Sequence, residues 1–405
     1  MKRSVLFLAL LLAACGGDST GPDLDGIASR QPGAGDDDVS VATTVRITFA
    51  RDVQIPADTA GAIWLAQDGR RVAVTISRPN QRTVVLTPAD ILDPAAGHTV
   101  HIGTGITGSE GVVPASSWQF TTDGRATPTT DANRLLAHVR ALAHDSMQGR
   151  AAGTVYELKA ANYIRAEFTR SGLAAFSGGQ WLQTVPPDGF AGNSQNVIGV
   201  LRGEGSLRDE WVVIGAHYDH IGVRNGQIHN GADDNASGTA AVLELARLLA
   251  EHEDAGGFGS DDRRSIMFIA FGAEEYGLIG SFHYCRNPLV ALASVAAMII
   301  LDMIGRLRDN SLYVIGENTG LEWAAMLRRY NSSLDYLPLG DAGTDYRCFK
   351  QAGRPVMSLF TGLHPDYHKP TDDTGLIDVA GFATVASLAL DLAVNTAVRP
   401  RPFTR

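Results

Sequence analysis

A chain of 405 residues is too long for one ordinary domain and can hold a small module plus a large one with a full core. With 44% hydrophobic and 19% charged residues, it is not an intrinsically disordered chain. Its formal net charge of −10, with no basic face standing out, argues against nucleic acid as a partner and suits a bound metal better.

The N-terminus, MKRSVLFLALLLAAC, sets Lys2 and Arg3 before an apolar run from Val5 to Leu12 and then small residues ending at Cys15. This pattern predicts an export signal, too short to remain as a membrane-spanning helix. The closing LAAC also resembles a bacterial lipobox, which implies cleavage before Cys15 and lipidation of its thiol. Plain export with cleavage nearby is the simpler alternative. No other segment reads as long and apolar enough to span a bilayer. The chain is therefore expected to be exported and held by a lipid at the bacterial cell envelope, at the outer membrane or facing the periplasm.

Residues 16–40, rich in Gly, Ser, Pro and Asp, read as a flexible tether. From 41 to 123, short alternating runs such as TTVRITFA, RRVAVTIS and RTVVLTP, separated by turn residues, predict an antiparallel β-sandwich. The segment resembles bacterial immunoglobulin-like modules, notably in its closing SSWQFTTDG. Within it GTGITG, Gly103 to Gly108, has the glycines of a dinucleotide fingerprint. However, SEGVVPASS follows, with Pro114 and no helical period, so no nucleotide cofactor is expected there.

After a linker at 124–131 the pattern changes. Helical stretches such as ANRLLAHVRALAHD alternate with apolar runs, among them NVIGVLRG, WVVIGAH, RSIMFIAFG, AAMIILDMIG and RPVMSLF. This alternation over 132–397 predicts an α/β domain with a mixed, largely parallel central sheet covered by helices on both faces, followed by a tail at 398–405. Cys285 and Cys348 are expected as two buried thiols, since a large core needs no staple.

The chemistry gathers at the ends of these runs, where open α/β sheets place functional groups. WVVIGAHYDH ends in His217 and Asp219, SIMFIAFGAEEYG in Glu274 and Glu275, AAMIILDMIG in Asp302, and HPDYHKPTDDT carries His368. Asp233 and Asp234 stand in HNGADDNASGTAAVLE. That stretch also fits an EF-hand loop through Asp233, Asn235, Ser237, Gly238 and Glu244, but a Gly/Asn-rich turn and not a helix leads into it. No G-x-S-x-G elbow of a serine hydrolase is found. In HPDYH, Pro365 and the missing Glu argue against a zinc helix, so His364 is read as shaping its loop.

Residues two apart on an extended segment face the same way, so Asp219 is placed to accept the second ring N–H of His217. Adjacent residues face opposite ways. One of Glu274 and Glu275 can therefore bind metal while its neighbour faces the substrate as a proton carrier.

Five motifs in order, GAHYDH, NGADDNASG, FGAEEYGLIGS, LDMIG and HPDYHKPTDDT, resemble the exported two-zinc aminopeptidases of peptidase clan MH, relatives of bacterial leucyl aminopeptidase, glutamate carboxypeptidase and glutaminyl cyclase. The resemblance covers about Leu135 to Val394 and implies a zinc exopeptidase fold with two zinc ions. It implies that His217 and Asp302 hold one, that Glu275 and His368 hold the other, and that Asp233 bridges both. Glu274 is implied as general base, Tyr367 as a helper at the oxyanion, and a cis peptide between Asp233 and Asp234.

The function expected from this is removal of N-terminal residues from peptides with a free amino terminus. Glutaminyl cyclase-like, carboxypeptidase or dipeptidase activity on the same fold, or a surface-binding protein with a decayed enzyme domain, are the alternatives. Oligomeric state is not legible.

Overall fold

The computed structural model describes residues 26–404 apart from 38, 57, 58, 94, 110, 123–126, 259–261, 342, 400 and 401. The export signal, Cys15 with its expected lipid, and the first part of the tether lie outside the described residues.

Alternation in Val45–Phe49 buries Val45, Ile47 and Phe49 and leaves Arg46 exposed, as a half-buried strand requires. Such strands build two four-stranded antiparallel sheets. One runs Ile27–Gln31, Val45–Phe49, Thr83–Pro88, Val74–Asn80, and the other Ser116–Thr121, Gly97–Ile102, Ile63–Gln67, Arg70–Arg71. Both contribute to one core around Leu65, Leu86, Val100, Trp118 and Phe120. The tether expected to reach residue 40 ends earlier, because Ile27–Gln31 pairs with Val45–Phe49 and buries Ile27. A five-residue strand with one apolar anchor among turn-forming residues gives little signal in sequence.

In the larger domain the long apolar runs become strands. Their spatial order is Ala174–Ala175, Ser194–Leu201, Ser265–Phe271, Trp211–His217, Val295–Leu301, Val356–Phe360, Ser311–Ile315, Asp335–Pro338, with Leu182–Val185 also paired to Ser194–Leu201. The four central strands are mutually parallel, and Ser194–Leu201 and Ser311–Ile315 join them antiparallel. Both sheet faces are covered, which is why these strands are apolar throughout. Val212, Ile214 and Ala216 face a cluster with Leu135, Ile164, Leu245, Trp323 and Leu388 from five helices. Val213, Ile269 and Met298 face Tyr284 and Phe349 from the helices Ile279–Arg286 and Arg347–Gln351.

Other segments depart from expectation. The helix Val379–Val398, with a mean hydropathy of 1.5, is long and apolar enough to cross a bilayer, contrary to the reading that no segment past the signal is. Here it is a core helix, with Leu388 and Leu392 packed in the main cluster. Cys285 and Cys348 form a disulfide between two short helices, with Cα atoms 6.2 Å apart. Proximity in the fold decides this, and sequence separation carried no trace of it. The tail packs as well, with the Phe403 ring 4.2 Å from that of Trp323. In the linker, Thr130 bonds Ser387 at 2.6 Å and Asp131 caps the helix Ala132–Leu142. The β-sandwich is fastened to the larger domain. Ile91 sits in the latter's core, its carbonyl accepting from Arg329 at 2.8 Å, while Arg329 also reaches Asp93 at 2.6 Å.

Candidate metal centre

The parallel strands deliver their polar ends to one side of the sheet. His217 closes Trp211–His217, Glu274 and Glu275 follow Ser265–Phe271, Asp302 follows Val295–Leu301, and His368 lies in the loop after Val356–Phe360. Ala273 (φ 54°), Met303 (φ 51°) and His368 (φ 57°) are left-handed at these turns, a conformation costly for residues with a Cβ and concentrated at functional sites.

Two sets of donors meet at one carboxylate. His217 Nε2 lies 3.4 Å from Asp302 Oδ1 and 3.4 Å from Asp234 Oδ1. His368 Nε2 lies 3.1 Å from Glu275 Oε2 and 3.1 Å from Asp234 Oδ2. The shared residue is Asp234. Asp233, expected as the bridge, points elsewhere: its Oδ1 accepts the Gly305 N–H at 2.7 Å, and its Oδ2 is 3.3 Å from His364 Nε2. His364, expected to shape its loop, is buried beside Asp233 and outside both donor sets. The cis peptide is likewise one position on, at Asp234-Asn235. The register follows from the loop's backbone. Gly231 turns left-handed (φ 56°), where a Cβ would come within 2.1 Å of the Asp234 carbonyl, so no regular alternation survives through 231–237.

Glu244, the last position of the EF-hand match, is buried in the helix Gly238–Asp254 and paired with Arg247 at 2.6 Å. Asn235 Oδ1 accepts from Gly238 N at 2.9 Å and Met303 N at 3.1 Å. Ser237 Oγ donates to the Asp233 carbonyl at 2.8 Å.

The donor set fits zinc. Tetrahedral ligation with bonds of about 2.0–2.1 Å puts ligand atoms about 3.3–3.4 Å apart, close to the separations above. Asp234 Oδ2 is buried without hydrogen-bond geometry to any partner among the described residues, an arrangement that a cation resolves.

The supporting contacts differ from expectation in one respect. The nearest Asp219 atom to His217 Nδ1 is the main-chain carbonyl at 3.3 Å, with the carboxylate at 3.8 Å. That carboxylate instead accepts the N–H groups of Glu274 (2.9 Å) and Glu275 (3.3 Å), fixing the turn that carries both glutamates. His220, buried and assigned no role from sequence, holds Glu275 Oε1 at 2.7 Å and leaves Oε2 toward His368. Its place in HYDH, three residues after a ligand, was the available signal.

Environment pushes the adjacent glutamates apart. Burial, with Asp345, Asp302 and Asp219 nearby, raises the Glu274 carboxyl well above its ordinary range. Burial acts upward on Glu275 too, but His220 and His368 outweigh it and hold that carboxyl low. Burial would depress His217, yet Glu274, Asp302 and Asp234 together raise it well above an ordinary histidine. The carboxylates of Asp234 and Glu275 raise His368 to about 9. Asp345, unremarked in the sequence, is fully buried and pushed by that burial up to about 6.

The centre opens into a cavity of about 270 Å³ lined by His217, Asp234, Asp302 and His368 together with Glu274 and Tyr367, with Met303, Ile315, Leu339, Phe360 and Leu363 as its apolar wall. The Tyr367 ring stacks on His368 at 3.8 Å. A larger open groove of about 810 Å³ on the β-sandwich, lined by Asp52, Arg78 and Asn80 among others, brings no such donor cluster together among the described residues.

Comparison with known proteins agrees with this architecture. Residues 196–393 match the model of peptidase family M28, and residues 18–122 that of a bacterial Ig-like domain. Aminopeptidase YwaD of Bacillus subtilis is 32% identical over 192 residues, 44% of this chain and 39% of that protein. Leupeptin-inactivating enzyme 1 of Streptomyces exfoliatus is 28% identical over 247 residues, 60% of this chain and 51% of that protein. The chain thus spans about half or less of the length of these relatives.

Among solved structures, the aminopeptidase from Aneurinibacillus sp. strain AM-1 superposes with a TM-score of 0.54 at 19% identity, covering 69% of this chain and 97% of that one. Porphyromonas gingivalis glutaminyl cyclase gives 0.54 at 22% identity, covering 64% and 96%. These likenesses establish the fold. Residues 196–393 are thus similar to peptidase family M28, and the segment before them to a bacterial Ig-like domain.

Proposed function

We propose that the chain is a metal-dependent aminopeptidase that removes N-terminal residues from peptides at a dinuclear zinc centre. The observation that carries this reading is Asp234, shared by a His217–Asp302 set and a Glu275–His368 set, with Glu274 beside the first. His217 and Asp302 would hold one ion, Glu275 and His368 the other, and Asp234 both. Bound there, zinc supplies Lewis acidity toward the scissile carbonyl and lowers the pKa of a water toward neutrality.

The protein's own groups do the rest. Glu274, its carboxyl raised by burial, takes the proton of the attacking water and returns it to the leaving amine. Asp219 holds Glu274 in place through its main-chain N–H. Tyr367, which lines the cavity, offers its hydroxyl to the developing oxyanion. Carboxylates near the metals would attract a free amino terminus, and the apolar wall of the cavity takes an uncharged first side chain.

The test is turnover of free and N-acetylated aminoacyl and dipeptidyl substrates before and after chelation. Chelator-sensitive cleavage restricted to free amino termini is expected; equal cleavage of acetylated peptides contradicts it. Formation of pyroglutamate from N-terminal glutamine, without hydrolysis, would favour cyclase chemistry on the same fold. We further propose export with a lipid on Cys15, for which the motif LAAC is the support. Labelling by a fatty-acid tracer that Cys15→Ser abolishes is the expected result.

A further inference from the structure

The main chain of the loop bearing Asp234 is gripped from two sides by buried charged side chains that the roles above leave unused. On one side Arg150, fully buried, donates to the carbonyls of Asn230 (2.6 Å) and Gly231 (3.0 Å), and to those of Tyr218 (2.8 Å) and Leu142 (2.7 Å). On the other side Asp372, also fully buried, accepts the N–H groups of Asp233 (3.0 Å) and Asp234 (3.0 Å). Asp372 is paired with Arg306 at 2.7 Å, and Arg306 with Asp366 at 2.8 Å.

The placement of these groups is informative. Tyr218 follows the ligand His217, Arg306 lies four residues after Asp302, and Asp366 and Asp372 flank His368. An irregular buried loop must find partners for its own carbonyls and N–H groups. Here a cation takes the carbonyls and an anion takes the N–H groups, through charge-assisted bonds that fix position more firmly than neutral ones. Both charges are tied in turn to the segments carrying the other ligands.

We propose that Arg150 and Asp372 are positioning residues of the metal centre: by clamping residues 230–234 they set where Asp234 stands relative to His217 and His368, and hence the affinity for metal. The inference rests on the dinuclear reading above.

The experiment uses the full-length chain, stripped of metal and titrated with zinc against a chromophoric chelator at a temperature where circular dichroism finds every variant folded. Asp372→Asn and Arg150→Lys are expected to weaken zinc binding by about 10–100-fold, the usual effect of losing a partner that orients ligands. Arg264→Lys is the control. Arg264 is equally buried and donates to the carbonyls of Thr396 and Arg399, but precedes Ser265–Phe271 at the end away from the site. It should lower the melting temperature of the metal-free protein and leave zinc affinity unchanged.

Should Asp372→Asn fail to fold, Arg306→Lys weakens the same ion pair with the carboxylate kept, and the same loss of affinity is expected. Parent-like zinc affinity in the folded variants, with only the melting temperature lowered, overturns the proposal. A parent that binds no zinc overturns the dinuclear reading itself.

Discussion

The two adjacent carboxylate pairs, Glu274–Glu275 and Asp233–Asp234, pose the same question and answer it differently. Glu274 and Glu275 stand in the turn just past the strand Ser265–Phe271, where Ala273 is left-handed, and what sorts them is the partners each meets. One is held low by two histidines, the other raised by burial. Asp233 and Asp234 stand in a loop where Gly231 is left-handed and main-chain angles are irregular, so the second residue of the pair turns toward the histidines. Residue type survives the irregularity; register does not.

Substitutions at the glutamates should separate these roles most widely. Glu274→Gln is expected to keep zinc and lose roughly a hundred- to ten-thousand-fold in turnover, as removal of a general base does. Glu275→Gln is expected to lose zinc along with activity, measured by metal analysis of the purified protein. Retained turnover in Glu274→Gln would erase the distinction drawn between the pair.

A smaller effect concerns pH. In the metal-free protein His368 keeps its proton up to about pH 9, so zinc must displace that proton to bind. Zinc affinity should therefore rise with pH, by up to tenfold per unit from this group, and its share should level off above about 9. Isothermal titration across buffers of different ionisation enthalpy reads the released proton. A pH-independent affinity between 6 and 9 would remove His368 from the ligands.

The smallest effect on chemistry is expected from the Cys285–Cys348 disulfide, which closes a span of 63 residues and touches no ligand. On the chain-entropy account it stabilises by about 4 kcal/mol. Cys285→Ala with Cys348→Ala should lower the melting temperature and leave zinc content at the parent value.

Much of the molecule was legible in sequence for physical reasons. Both-face burial writes long apolar runs, so the central strands and their polar ends announced themselves through WVVIGAH and AAMIILD. His217, Glu275, Asp302 and His368 are brought together as expected. What escaped depends on three-dimensional proximity or backbone irregularity. The Cys285–Cys348 pairing, the burial of the tail through Phe403, the strand Ile27–Gln31 and the grip of Arg150 and Asp372 on a loop leave no periodic trace. His220 had a signal in its place three residues after His217, whereas Arg306, just past LDMIG, and Asp345, outside every motif, are marked only by their burial in the fold.

The most direct test is the zinc content of the parent, Asp234→Asn and Asp233→Asn, measured by mass spectrometry after removal of loosely bound metal. With two donor sets sharing Asp234, the parent should hold about two ions, Asp234→Asn should lose at least one, and Asp233→Asn should stay closer to the parent. The reverse order, with Asp233→Asn stripped and Asp234→Asn fully loaded, would contradict the account.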